Sequence, residues 1–184
     1  MAKTYKRRRY YRSKGRWSAN IKNIDDSQTI TGTTTTIGNS VDLCLNPIQD
    51  SLSVSQTYTV KNIELSTFME TDNNNLIENI EHYIMYVPQG MNLTTDYNYE
   101  HPEYIMAYYY QGNPAVDGES IGYRLKLKSR MARKLQTGDR IIYFWKANKE
   151  AGSTSVYVKI RGLVHQRTTS ISLSLLAYPE VHVF

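Results

Sequence analysis

Ile121-Gly122-Tyr123-Arg124-Leu125-Lys126-Leu127-Lys128-Ser129-Arg130 is the stretch whose reading decides the fold. Ile121, Tyr123, Leu125 and Leu127 share one parity, and Arg124, Lys126, Lys128 and Arg130 share the other. Strand side chains alternate between faces with period two, so the segment predicts a β-strand with one apolar face and one cationic face. The cationic face has two readings. It can be a positive strip turned toward a bound polymer or a neighbouring subunit. It can also be the polar face of an edge strand, where charge blocks pairing with another sheet.

Extended segments of the same kind lie on both sides. Downstream, Met131–Gln136 reads as a connector with room for one helical turn, and Thr137-Gly138-Asp139 as a turn before an apolar strand, Arg140–Lys146. Val156, Val158 and Ile160 alternate with Tyr157, Lys159 and Arg161, where the cations carry the same two readings. Ile171, Leu173, Leu175 and Ala177 alternate with serines. Upstream, Thr29–Leu45 is Thr-rich and extended. In Gln56–Met69 the apolar phase flips near Lys61–Asn62, which predicts a β-bulge there. Glu78–Val87 and Tyr104–Tyr110, the latter read as a strand over a short helix after Pro102, complete about eight strands. With no long amphipathic helix and no β-α-β alternation, two packed antiparallel sheets in sandwich or jelly-roll form are expected.

At 184 residues the chain fits one domain, or one domain with a tail. The net charge is +5, but unevenly spread. Residues 1–22 hold nine basic residues (Lys3, Lys6, Arg7, Arg8, Arg9, Arg12, Lys14, Arg16, Lys22) and no acid. The remainder holds 13 basic and 17 acidic residues, a net −4. A basic, flexible arm is therefore assigned to 1–24 and a mildly acidic body to 25–184. Within the arm, Tyr10, Tyr11 and Trp17 stand among the cations. Cations neutralise phosphates and release counterions, and interleaved aromatic rings stack on unpaired bases. The arm thus reads as a nucleic-acid-binding segment, and Lys6-Arg7-Arg8-Arg9 also reads as a nuclear import signal. Sixteen tyrosines against three phenylalanines suit half-buried strands and wet interfaces.

Other classes find little support. No apolar run approaches the ~18 residues of a membrane span. The N-terminal charge lacks the apolar stretch of a secretory leader. Cys44, the one cysteine, has no intrachain partner. His82, His101, His165 and His182 are scattered and form neither a zinc spacing nor a catalytic dyad. Asp25-Asp26 reads as the end of the arm, and Gly138 and Gly162 as turn or bulge glycines. No enzyme, cofactor or metal is expected.

Four blocks carry a family resemblance. They are Val60-Lys61-Asn62-Ile63-Glu64, then Tyr83 through Met91 (YIMYVPQGM), then His101 through Ala107 (HPEYIMA), and Ser129 through Leu135 (SRMARKL) continuing to Gly138-Asp139-Arg140-Ile141. In order and spacing they resemble capsid proteins of circovirus-like viruses, which carry circular single-stranded DNA and encode a replication initiator. The resemblance implies an eight-stranded jelly roll, found in a virion and assembled in the host nucleus. It implies a homo-oligomeric icosahedral shell of roughly sixty copies, packaging a single-stranded DNA genome through the arm. Nine arm charges on each copy would neutralise on the order of 540 phosphates. A genome of a kilobase or more exceeds that, so help is expected from Arg124, Lys126 and Lys128 or from mobile cations. Two other readings stand beside it: a cellular single-strand nucleic-acid-binding β module, and the capsid of a small RNA or satellite virus.

Overall fold

A computed structural model of the chain describes residues 17–46, 57–72, 76–112 and 123–171. Among the described residues nine strands run in chain order: β1 (Ser18–Ile30), β2 (Thr36–Leu45), β3 (Thr57–Thr71), β4 (Ile77–Val87), β5 (Ile105–Gln111), β6 (Tyr123–Ser129), β7 (Arg133–Leu135), β8 (Arg140–Lys149) and β9 (Val156–Ile171). A one-turn helix, α1 (Tyr97–Glu100), and a 3-10 turn at Pro102–Tyr104 precede β5.

Two antiparallel sheets result. Sheet I has the order β1-β9-β3-β6, with β7 also on β3, and sheet II the order β2-β8-β4-β5. The pairings nest: β4 with β5, β3 with β6 and β7, β2 with β8, β1 with β9. The chain therefore runs as one long antiparallel ribbon folded over so that its successive pairs fall alternately in the two sheets. The apolar rows of both sheets meet between them. Ile24, Val60, Leu65, Leu127 and Val158 come from sheet I, and Leu43, Ile84, Ile141, Tyr143 and Trp145 from sheet II. A β-sandwich is the fold the period-two patterns predict.

Several local expectations hold. Leu125 and Leu127 are buried at 6% and 5%, while Arg124, Lys126 and Lys128 are exposed. The phase flip in β3 is a bulge, with the β3–β9 register shifting between Lys61 and Glu64. Asn62 supplies the extra residue at φ 51, a left-handed conformation that Asn tolerates better than other side chains. The same bulge splits β6 from β7 along β3, so these two short strands together span one partner.

Other expectations are corrected. The boundary drawn after residue 24 falls inside β1, whose residues from Ser18 onward pair with β9. Sequence pattern hid this strand because its inward face is partly polar. Asp26 is not a loose end of the arm: it accepts from the Trp145 indole N–H at 2.8 Å and from Asn39 at 3.0 Å. Thr29–Leu45 is two strands, broken at Gly32 (φ 58) with Thr34 N–H bonded to the Thr31 carbonyl. Met131–Gln136 contains β7 and no helical turn. Val156 onward is one 16-residue strand, where the sequence reading stopped at Arg161. Its continuation is masked by polar inward residues, Gln166 donating to the Leu43 carbonyl and Thr168 accepting from Asn20. Gly162 lies in mid-strand rather than at a turn. The expected strand from 171 to 177 falls outside the described residues apart from Ile171, which closes β9.

Three of the four resemblance blocks meet at Tyr86, and the fourth, 60–64, joins them through the pairing of Val60 with Arg133. Its hydroxyl donates to Asp139 (2.7 Å), Tyr104 packs edge-on against its ring (5.5 Å), and the Arg133 guanidinium lies 4.2 Å from the ring centroid. Asp139 also accepts from the backbone N–H of Gln89 (3.0 Å) and of Gln136 (2.8 Å). Arg133 pairs with Val60 beside the bulge. Burial first, then the Asp139 carboxylate, pushes the Tyr86 phenol up to about 12. The blocks thus build a structural corner that ties β4 to β7 and β8.

Candidate nucleic-acid interface

On β9 the side chains of Val158, Ile160 and Val164 are buried, which turns Lys159, Arg161, Leu163, His165 and Arg167 to the outer face of sheet I. The register of the neighbouring strands extends each of these into a row across that face. Asp25, Arg161, Phe68 and Arg124 form one row. Asn23, Leu163, Ser66 and Lys126 form the next, and Ile21, His165, Glu64 and Lys128 the third. Arg167 stands opposite Lys61, and Lys159 opposite Glu70. Residues directly opposite on one face sit about 5 Å apart at Cβ, so the rows are contiguous.

These rows bring seven cations (Lys61, Arg124, Lys126, Lys128, Lys159, Arg161, Arg167) together with three acids (Asp25, Glu64, Glu70). Lys128 is paired with Glu64 at 3.1 Å, and Arg161 lies 4.0 Å from Asp25. Both pairs are exposed and loosely held, so each is worth at most about 1 kcal/mol. Arg124, Lys126, Lys159 and Arg167 make no ion pair among the described residues. The face carries a net charge of +4 over the rows. A groove of about 640 Å³ crosses it, floored by Phe68 and Leu163 and edged by Arg124, Lys126 and Arg161. Leu163 is 43% exposed.

Of the arm residues predicted to bind nucleic acid, Trp17 lies among the described residues, while Lys3, Lys6, Arg7, Arg8, Arg9, Tyr10, Tyr11, Arg12, Lys14 and Arg16 lie outside them; Lys22, the ninth cation of the arm, lies within β1 and donates to the Asp42 carbonyl. Trp17 is 39% exposed, and the Lys61 ammonium sits 3.9 Å from its ring centroid. Trp17, the residue before β1, therefore rests on the basic face. Arg124, Lys126 and Lys128 belong to the same face, and Arg130 follows exposed just beyond β6. Sequence reasoning missed Lys61, Phe68 and Arg167. Their signal was present in the outward parity of β3 and β9, but it needed the bulge and the full length of β9 to be read.

The opposite side of the sandwich differs. Residues 88–104 cover the outer face of sheet II, closing a second small core of Tyr83, Met85, Val87, Tyr97, Ile142 and Phe144. This cover carries Asp96, Glu100 and Glu103 and no Lys or Arg. It is fastened by a polar knot on the buried Glu81, which accepts from Tyr83, from Tyr99 at 3.0 Å and from Asn98 at 3.4 Å. Burial foremost, and Glu81 next, raise the Tyr83 phenol far above its ordinary range, so it stays a donor. Lys146, 8% exposed at its side chain, bonds Asp96 at 2.8 Å and lies 4.6 Å from the Tyr99 ring centroid. Beside the cover, Tyr108, Tyr109 and Tyr110 are half-exposed on β5, an edge strand.

Among the described residues, no group of three or more His, Cys, Asp or Glu side chains could hold a metal ion. Cys44 is buried, and desolvation pushes its thiol up to about 11. No helix among the described residues is long and apolar enough to cross a membrane. No protein-family model matches the chain, and no curated protein matches it in sequence. Among solved structures, the chain is similar to one from Desmodium yellow mottle tymovirus, at 12% identity and a TM-score of 0.32, over 88% of this chain and 93% of that chain. At that score nothing is carried over from it.

Proposed function

We propose that this chain is a structural, non-enzymatic capsid protein that assembles into a closed shell around single-stranded nucleic acid, with the outer face of sheet I turned to the packaged strand. The observation that carries this reading is the union of the basic face of sheet I with β1, the strand into which an N-terminal segment with eight cations runs. The acidic cover over sheet II lies on the far side of the sandwich, so the subunit is electrically two-sided. A shell subunit needs that polarity: cations toward phosphates, acids and half-exposed tyrosines away from them. The nested pairing of the strands supports reading the sandwich as a jelly roll, a fold used by viral capsids. The sequence resemblance to circovirus-like capsids supports circular DNA as the cargo, with nuclear import through Lys6–Arg9.

Charge arithmetic agrees in direction. Four net charges on the sheet I face of each of roughly sixty copies add on the order of 240 to the arm's share. Binding by phosphate neutralisation would be largely independent of sequence and steeply salt-dependent. A second reading, a cellular single-strand-binding module, is favoured by Phe68, an aromatic ring on the body's own basic face. Electron microscopy of the purified full-length chain separates the two. Uniform closed shells with a high 260/280 nm absorbance ratio, sensitive to a DNase once opened, support the capsid reading. Small soluble particles at low and high salt, with and without added single-stranded DNA, overturn it.

A further inference from the structure

We propose that the groove across β1, β9, β3 and β6 is a base-stacking site for an unpaired nucleotide, with Phe68 as its platform. This deepens the reading of sheet I as a nucleic-acid face and rests on it. Phe68 is an outward residue of a solvent-facing sheet, so packing against the core does not explain it. Its register partners on the two flanking strands are both arginines, Arg161 and Arg124. Beside it, Leu163 extends an apolar floor, and Lys126 stands across the next row. Among the described residues, cations cap the rings of Trp17, Tyr86 and Tyr99, and Phe68 is not among the capped rings. A half-buried aromatic ring lining an apolar groove, with guanidinium and ammonium groups at its rim, matches a nucleotide in both parts. The base takes the ring and the phosphate takes the rim. Asp25 at the β1 edge is outnumbered by Arg124, Lys126 and Arg161. A duplex keeps its bases stacked on each other, so the site would select unpaired strands.

The test uses the full chain and short single strands carrying 5-iodouracil, as DNA and as RNA in parallel. Near-ultraviolet irradiation and peptide mapping then locate the crosslink. A crosslink at Phe68 is expected, with the higher-yielding strand identifying the cargo, and none is expected from the matching duplex. F68L should weaken oligo-dT binding about tenfold at unchanged salt slope and leave duplex binding alone, while F68W should restore both affinity and crosslink. No crosslink at Phe68 from either strand, or equal loss for duplex and single strand, overturns the stacking site. Should R124A/K126A weaken binding while F68L does not, stacking fails and the phosphate-binding face stands. Should neither matter, the face itself is misassigned.

Discussion

Removing Arg124 and Lys126 together probes the basic face with little risk to the fold. Both side chains are exposed, and neither makes an ion pair among the described residues. Each is assigned one phosphate. Single-strand binding loses about 0.7 of salt slope for each contact removed, so R124A/K126A should flatten the slope of log K against log salt by about 1.4. Taking 1 M salt as the point where the two proteins converge, the variant should bind about 25-fold more weakly at 0.1 M. At 0.5 M the ratio should shrink to about threefold. Filter binding of a labelled oligo-dT across that salt range measures both numbers. Thermal unfolding of the variant should match the parent, because nothing buried is touched. A loss of equal size at both salt concentrations, or no loss at either, would refute the assignment of phosphates to this face.

Three further outcomes test the frame that holds the face in place. D139A leaves the Tyr86 hydroxyl and the Gln89 and Gln136 N–H groups without their acceptor, so it should cost about 3 kcal/mol in a denaturant titration; a cost under 1 kcal/mol would mean that corner is not structural. G162A places a methyl group against the Ser66 carbonyl and 2.9 Å from the Thr67 Cα, which backbone atoms cannot yield to, so roughly 2 kcal/mol should be lost, and a neutral result would contradict the close strand approach. His82 is buried with Nδ1 2.7 Å from the Tyr143 hydroxyl, and desolvation lowers its pKa from 6.5 to about 4. Its neutral form is the one that folds, so its contribution is intact above pH 6.5 and is lost as pH falls toward 4. The loss should approach about 3 kcal/mol, and H82Q should show a flatter acid limb in denaturant midpoints against pH.

The sequence was legible where one face is fully apolar and the other fully charged. In β6 the strict alternation of Leu125 and Leu127 with Arg124, Lys126 and Lys128 predicts burial residue by residue. The bulge was legible too, because a one-residue insertion reverses the parity of every side chain beyond it. The pattern fails where inward positions are polar and bonded. Asp26 accepts from Trp145 and Gln166 donates to the Leu43 carbonyl across the sandwich, and no local rule reports a partner more than a hundred residues away. The candidate site was half visible for the same reason. Cations at 124, 126, 159 and 161 could be named, but only the register β1-β9-β3-β6 sets Phe68 between Arg161 and Arg124 and joins two separate basic segments into one face.

The most direct measurement is a cryo-electron microscopy reconstruction of particles assembled from the full chain with single-stranded DNA. The account predicts closed shells in which the outer face of sheet I lines the lumen, with nucleic-acid density over Phe68, Arg124, Lys126 and Arg161, and the 88–104 cover on the outside. Shells with sheet I facing solvent, or no closed shell at all with DNA present, would contradict it.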